Sequence, residues 1–244
     1  MEKIVYLVWR DATTPVDTWS EALRTDVASR LVDGGAHGVV VNVSDTAVAS
    51  SIMRVAQLDP QMEAVVSIWV DSARTAARRP HDEAIASGPG VARVEAYVVT
   101  ESEPLVNTIH LAPSGERTPG FANMAFLRRP ADMPTAEWIA AWQDGHTELA
   151  IETQSTFGYV QNLVSRPLTQ DAPAIDAIVE ELFPTEALTS LHAFFAAADD
   201  AELARNMGRM TESIARFGAD RDLDVIPTSQ YVVRRAHRPH GTGP

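Results

Sequence analysis

The chain has 244 residues, 45% of them hydrophobic, which suits one large domain or two small ones with an ordinary buried core. Its formal net charge of -13 at pH 7 disfavours nucleic acid and anionic membrane surfaces as partners, because both are negatively charged. The sequence contains no cysteine, which excludes disulfides, thiolate nucleophiles and thiolate-ligated metals.

The hydrophobic stretches are short. None approaches the roughly 20 residues that a membrane-spanning helix needs. The apolar run near the amino terminus is too short for a signal peptide and is typical of a strand. We therefore expect a cytoplasmic protein.

The first part of the chain alternates between β-rich and helical patterns. A helix is predicted after the first strand, with Trp19, Leu23 and Val27 on one face, and it ends at Gly34-Gly35. A second helix is predicted over residues 71–87. The strands are predicted over residues 3–10, 37–43, 62–70 and 91–100. The resulting order, β-α-β-β-α-β, is the ferredoxin-like pattern.

The same order recurs in the second part. An amphipathic helix is predicted to begin near Pro134 and to lead through a short turn into a strand that contains residues 157–164. The other strands are predicted over residues 122–129, 175–183 and 228–235, and two further helices over 185–198 and 200–217. We expect two domains, 1–111 and 121–236, an exposed linker over 112–120, and a disordered tail over 237–244.

Two matched spacings indicate an internal repeat. Pro15 and Trp19 correspond to Pro134 and Trp138 with a shift of 119 positions. A glycine and an asparagine four residues apart, at 38 and 42, recur at 158 and 162 with a shift of 120 positions. Nearly equal shifts from separate matches favour a duplication.

The predicted fold class is α+β. A ferredoxin-like sheet carries both helices on one face and leaves its other face open, so it needs a partner. We expect two tandem ferredoxin-like βαββαβ repeats whose antiparallel sheets pack face to face as an intramolecular α/β barrel, enclosing a core or cavity. Alternation puts Tyr159 and Gln161 on one face and Asn162 on the other, but it does not say which face meets the helices.

The helix predicted to begin near Pro134 carries His146, the side chain in the sequence that is best suited to chemistry. Trp138, Trp142, His146 and Leu149 lie at helical spacing and share one face. A histidine in such a stripe is either a core residue bonded to a nearby carbonyl or a proton-transfer group facing a ligand.

These residues carry a resemblance to a known family. Residues 126–150, followed by Phe157 to Asn162, resemble the EthD-like family of the dimeric α/β-barrel superfamily. The shared pattern is a basic strand end, an aromatic-bearing helix, a histidine with a short apolar segment, and a strand ending in Tyr-Val-Gln-Asn. The first half looks like a degenerate copy, because it has Val27 where the pattern has a histidine.

The resemblance implies a cofactor-independent enzyme. Relatives of similar fold hold a flat, apolar, enolisable ligand inside the barrel, and a histidine moves protons. We therefore expect a cofactor-free lyase, cyclase or isomerase that acts on a small aromatic or polyketide-like carbonyl compound, with His146 as acid or base. The remaining candidate residues would bind substrate: Trp138 and Trp142 as an apolar wall, Tyr159, Gln161 and Asn162 as orienting or enolate-binding groups, and Glu180 as the group that fixes the imidazole tautomer.

Other interpretations stay open. Asn162 would equally serve as a sheet-end hydrogen-bonding residue, Tyr159 as a packing residue, and the two tryptophans as core. The chain would also suit a non-catalytic or accessory protein that binds a hydrophobic metabolite, and a homodimer is possible. Haem binding through His146, His192 or His81 is less favoured, since the sequence shows no second axial ligand. No metal site is expected, and His237 and His240 fall in the predicted tail.

Overall fold

The structure is a computed structural model that describes residues 1–236. Eight strands form one closed antiparallel β-barrel, with helices packed on its outer surface. The strands are β1 (Glu2–Arg10), β2 (Gly38–Val43), β3 (Ala64–Val70), β4 (Val91–Leu105), β5 (Phe121–Leu127), β6 (Gly158–Pro167), β7 (Ala177–Phe183) and β8 (Asp224–Arg234). The predicted tail, with His237 and His240, lies outside the described residues.

The helices are mostly short and occur in two groups. They are α1 (Val16–Ala22), α2 (Ala28–Asp33), α3 (Thr75–Ala86), α4 (Thr135–Ile139), α5 (Thr147–Thr153), α6 (Leu191–Phe194) and α7 (Asp200–Ala215). A π-helical segment joins α1 to α2, and another follows α4; these are Leu23–Val27 and Ala140–Asp144. No helix within residues 1–236 is both long and apolar enough to cross a membrane.

The strand order is the same in the two halves of the chain. In the first half (residues 1–111) the order across the sheet is β4-β1-β3-β2, and in the second half (residues 121–236) it is β8-β5-β7-β6. β2 pairs with β8 and β4 pairs with β6, so both sheets are joined edge to edge. The barrel therefore has no free strand edge.

Side-chain alternation divides each sheet between the barrel interior and the helix layer. The interior holds an apolar cluster to which both halves contribute, including Val5, Leu7, Met124 and Phe126. The outer faces form two separate cores, each mainly with the helices of its own half. Most of the barrel interior is therefore a packed core.

Two glycines mark matching places in the halves. A Cβ on Gly38 would lie 2.8 Å from an atom of Trp69, and a Cβ on Gly158 would lie 2.8 Å from an atom of Leu182. Each glycine lies directly opposite that neighbour in the sheet. A larger side chain would force the facing side chain to move in either half.

Several predicted elements differ from the structure. The helix predicted to begin near Pro134 is broken by Ala140–Asp144 and by the turn at Gly145 and His146, which separate α4 from α5. The stretch 185–198 forms only a short 3₁₀ turn and α6. The linker is not fully exposed, since Thr118 is buried and donates a hydrogen bond to Gln230 over 2.7 Å.

Candidate functional site

A cavity of about 270 Å³ lies between the helix layer and the outer face of the second-half sheet. We call it the helix–sheet cavity. This volume is close to the lower end of the range usual for small-molecule sites, about 300–1,000 Å³. Its walls are mainly aromatic and aliphatic, and they include Trp142, Phe194, Phe217, Met210, Val179 and Val225.

His146 contributes to the helical wall of this cavity. It lies at the start of α5, and its side chain is only 7% exposed. Nδ1 is 2.9 Å from Oγ of Ser213 on α7, and the ring packs edge-on against Phe217. Burial lowers the pKa of His146 from 6.5 to about 4, so the imidazole is neutral near pH 7.

Glu181 contributes a carboxyl group to the opposite, strand wall. It lies on β7 and lines the helix–sheet cavity. Burial raises the pKa of Glu181 from 4.5 to about 7. No hydrogen bond or salt bridge to this carboxyl group is formed within residues 1–236. A partly buried carboxyl group without a cationic partner is costly, and such groups cluster at functional sites.

Tyr159 and Gln161 connect the strand wall to the helix layer. Tyr159 is 1% exposed, and its hydroxyl group accepts hydrogen bonds from the side chains of Gln161 and Trp142. Burial, followed by the nearby carboxylate of Glu181, raises the pKa of Tyr159 well above its usual value. Gln161 Nε2 also donates to Thr147 Oγ1 over 2.7 Å. Burial keeps the tyrosine a neutral phenol, and the hydrogen bonds hold its hydroxyl group in place at the cavity wall.

Two amide side chains on the cavity wall have no partner in the protein. Asn123 on β5 is 3% exposed and Gln154 at the end of α5 is 9% exposed. The side-chain oxygens of both are buried without a hydrogen bond within the described residues. Buried polar groups are normally paired, so these two amides are candidates for contact with a ligand.

Four of the predicted site residues lie on the helix side of the sheet with His146. Trp142 and Tyr159 line the cavity directly. Trp138 packs against Trp142 at 5.3 Å between ring centroids, and its Nε1 donates to the carbonyl oxygen of Phe217, so it supports the wall from behind. Gln161 touches the site through the hydroxyl group of Tyr159.

Asn162 and Glu180 lie elsewhere, on the barrel side of the same strands. Asn162 Nδ2 donates to the carbonyl oxygen of Ile178 over 3.0 Å. Glu180 accepts hydrogen bonds from Asn42 Nδ2 at 3.1 Å and from Gln230 Nε2 at 2.5 Å. The prediction that Glu180 orients the imidazole is therefore wrong. Adjacent strand residues point to opposite faces, and Ser213 occupies the place beside His146.

The position of the cavity also differs from the expectation. A ligand between the two sheets was predicted, with His146 pointing into that space, whereas His146 lies outside the barrel. A second cavity, of about 380 Å³, does open at one end of the barrel near Lys3, Glu101 and Glu180. Lys3 and Glu101 pair with each other over 2.8 Å, and Glu180 accepts hydrogen bonds from two amide side chains. Paired charges of this kind are less indicative of chemistry than an unpaired acid and a neutral base.

The first half provides an internal comparison. Asn123, Glu181 and Tyr159 are direct cross-strand neighbours on β5, β7 and β6, and we call them the polar row. The same places on β1, β3 and β2 are occupied by Ile4, Ile68 and Val39, which are all fully buried. The first half thus has an apolar core at the place where the second half has a cavity with polar groups.

The other histidines considered for haem lie away from the cavity. His81 is a buried residue of α3 whose pKa is lowered by burial, and His192 is half-exposed and hydrogen-bonds to Asp200 over 2.9 Å. Within residues 1–236, no cluster of histidine and acidic side chains is arranged to hold a metal ion. Haem ligation by His146 stays a prediction.

One known protein family is similar to part of this chain. Residues 130–216 match the family described as the EthD domain. This stretch contains His146, Tyr159 and Glu181 but not β5 or the first half. No curated protein matches the sequence.

Solved structures resemble the whole chain. A protein titled anthrone oxidase-like protein superposes with a TM-score of 0.54 at 10% identity, covering 98% of this chain and 96% of its own. A second, from Lactobacillus acidophilus and provisionally named a monooxygenase, gives a TM-score of 0.45 at 9% identity, with 96% of each chain covered. The first of these similarities shows that the barrel fold is shared.

Proposed function

We propose that this protein is a cofactor-independent proton-transfer enzyme, a lyase, cyclase or isomerase, that acts on a small aromatic or polyketide-like carbonyl compound with His146 as an acid or base. The proposal is carried by one observation: the helix–sheet cavity encloses a neutral imidazole and an unpaired carboxyl group within mainly apolar walls. Enolisation of a carbonyl compound needs a base and a hydrogen-bond donor in a site that excludes water.

The size and lining of the cavity favour a flat ligand. Aromatic residues from the helices face aliphatic residues from the sheet, so an aromatic ring system would be in contact on both faces. The name of the structurally similar anthrone oxidase-like protein suggests anthrone as a probe, because it is a flat ketone with an acidic methylene group. Dithranol, its dihydroxylated form, provides a second probe.

A test compares the wild type with two histidine variants. Each protein is incubated under anaerobic conditions in deuterated buffer with a panel of enolisable aromatic ketones, including anthrone and dithranol, and turnover is followed as deuterium incorporation by proton NMR. His146→Gln is expected to bind the probe but to lose turnover. His37→Gln is the control, because that exposed histidine hydrogen-bonds to Asp71 at the protein surface. Equal turnover by His146→Gln and the wild type would contradict the proposal.

A binding protein for a hydrophobic metabolite is the second candidate. It is favoured by the low pKa of His146, about 4, since an efficient base has a pKa nearer the working pH. Tight probe binding with no turnover on any ketone of the panel would support this candidate. In that case His146→Gln would change affinity only.

The two halves are best interpreted as tandem ferredoxin-like copies, the first of which has lost the site. The identical strand order, the matching glycines and the π-helical segment in each half support this interpretation. In the first copy, Val27 replaces the histidine and Ile68 replaces the carboxyl group. A duplicated chain would then supply by itself the barrel that two subunits otherwise form.

A further inference from the structure

The function proposed so far assigns no chemical step to the polar row, although the row forms the cavity wall opposite His146. Glu181 lies at its centre, directly between Asn123 on one neighbouring strand and Tyr159 on the other. All three residues line the helix–sheet cavity. The carboxyl group is therefore held on the sheet, which is the most rigid part of the site, rather than on a loop.

The internal comparison shows that the fold does not require these polar groups. The first half fills the equivalent row with two isoleucines and a valine that are completely buried. Placing a carboxyl group and an amide at these positions, without partners for either, opposes stability. Such groups at a cavity wall indicate selection for a ligand.

We infer that Glu181 is a catalytic residue of this cavity and the base that removes a proton from the bound substrate, with Asn123 beside it as a substrate-binding residue. The inference rests on the proposed function and deepens it, because it divides the acid and base roles between two walls. His146 then acts as the hydrogen-bond donor, through Nε2, while its Nδ1 accepts from the hydroxyl group of Ser213.

The proposed step balances without a cofactor. The carboxylate of Glu181 takes a proton from a carbon that is conjugated with the substrate carbonyl group, either next to it or, as in the methylene group of anthrone, across the same ring. The electrons of the broken C–H bond form the C=C bond of the enolate, and the carbonyl π electrons move to oxygen, where His146 donates a hydrogen bond. Return of the proton from Glu181 to a different carbon completes an isomerisation, and no oxidant or reductant is needed.

The charges around Glu181 agree with this division of roles. The titratable groups near Glu181 are His146 on the opposite wall and the hydroxyl group of Tyr159 beside it on β6. The cavity-lining residues of α7 are Met207, Met210, Thr211 and Ile214, none of which titrates. A pKa of about 7 makes Glu181 a stronger base than His146 near neutral pH, and a neutral imidazole remains able to donate. The proposed substrate is therefore an aromatic carbonyl compound with an acidic C–H bond, whose oxygen faces α5 and whose acidic carbon faces β7.

Hydrogen–deuterium exchange tests the inference directly. The methylene protons of anthrone are followed by proton NMR in deuterated buffer under anaerobic conditions, with the uncatalysed rate subtracted. Glu181→Gln keeps the shape of the side chain and is expected to lower the catalysed exchange rate by about a hundred- to ten-thousand-fold. Glu180→Gln is the matched control, because its side chain is the next along β7 but points into the barrel.

The pH profile separates a catalytic role from a structural one. For the wild type and Glu180→Gln, the exchange rate is expected to rise with pH through about 7 and then level off. A rate that is flat across this range, that falls above it, or that survives unchanged in Glu181→Gln would overturn the inference and leave the proposed function standing. No catalysed exchange by the wild type would overturn both. Circular dichroism of each variant confirms that it is folded.

Discussion

At the scale of single residues, burial controls the chemistry of the site. His146 and Glu181 have pKa values shifted in opposite directions by the same cause, because removal of water disfavours the charged form of both groups. They do not form an ion pair with each other, since no such contact is made within residues 1–236. A substrate-sized space between a neutral imidazole and a carboxyl group suits proton transfer at both ends of one molecule.

The shifted pKa of Glu181 predicts a pH-dependent stability. Because the folded state holds this proton up to about pH 7 and the unfolded state releases it near 4.5, its contribution is fully present below 4.5 and is lost as the pH rises through 7. The loss is on the order of 3 kcal/mol. Glu181→Gln is therefore expected to gain stability relative to the wild type near pH 8, but not near pH 4, in urea denaturation. An equal difference at both pH values would contradict this assignment.

The lowered pKa of His146 predicts a loss of stability as the pH falls, opposite to the effect of Glu181. Its pKa is lowered from 6.5 to about 4, so the stability it contributes is present above 6.5 and is lost as the pH falls through 4. The wild type is expected to lose on the order of 3 kcal/mol more than His146→Gln over this range. NMR titration of the histidine ring protons provides an independent measurement, and a midpoint near 6.5 would show that the ring is solvated.

A difference of one position along β7 decides which acidic side chain lines the helix–sheet cavity. Glu180 and Glu181 are adjacent and chemically identical, yet one faces the barrel and the other faces the helices. Alternation in the sequence separates the two faces but does not identify the face that the helices cover. This is why Glu180 was selected wrongly, and why Asn123 and Ser213, from distant parts of the chain, were not found.

At the scale of elements, the two halves differ in how completely side chains fill the space between the sheet and the helices that cover it. Tyr6 fills the outer face of β1, and its hydroxyl group donates to Asp82 on α3 over 2.9 Å. The equivalent place on β5 is occupied by Ala125, which lines the cavity. The difference in side-chain volume at this one place accounts for part of the open space.

Ala125→Tyr is expected to fill the helix–sheet cavity as Tyr6 fills the first half. Binding of dithranol, measured by quenching of the protein's tryptophan fluorescence, should be lost, and the protein should remain folded. The cost of overpacking, typically about 1–3 kcal/mol, is limited because the new ring enters empty space. Unchanged dithranol binding would show that the probe binds at another place.

Tyr6→Ala, at the equivalent position on β1, is the matched control for Ala125→Tyr. Tyr6→Ala removes a ring that is 1% exposed and should destabilise the protein by about 3–5 kcal/mol. It should leave dithranol binding in the second half unchanged at a temperature where the variant is folded. Loss of binding in this variant would indicate that the two halves are coupled.

At the scale of the whole molecule, the two halves form one closed barrel. The barrel closes through β2 with β8 and β4 with β6, so each half completes the edges of the other. Its interior core contains Val5 from one half and Phe126 from the other. The buried carboxylate of Glu180 also joins the halves, because it accepts a hydrogen bond from Asn42.

Phe126→Ala is expected to lower the stability of both halves together. Truncating this fully buried ring should cost about 3–5 kcal/mol. The tryptophans of both halves report unfolding, so fluorescence and circular dichroism should give one coincident transition. Two separate transitions would show that the halves unfold independently.

The sequence by itself determined the order of the strands and indicated that Trp138, Trp142 and His146 lie on one side of the segment after Pro134. Local patterns are sufficient for these features because hydrophobic periodicity and turn residues act over short distances. Only the tertiary structure decided that the cavity lies outside the barrel and that Glu181, Asn123 and Ser213 join His146 there. Those residues meet through the pairing of strands and the packing of α7, and contacts between distant segments leave no local pattern in the sequence.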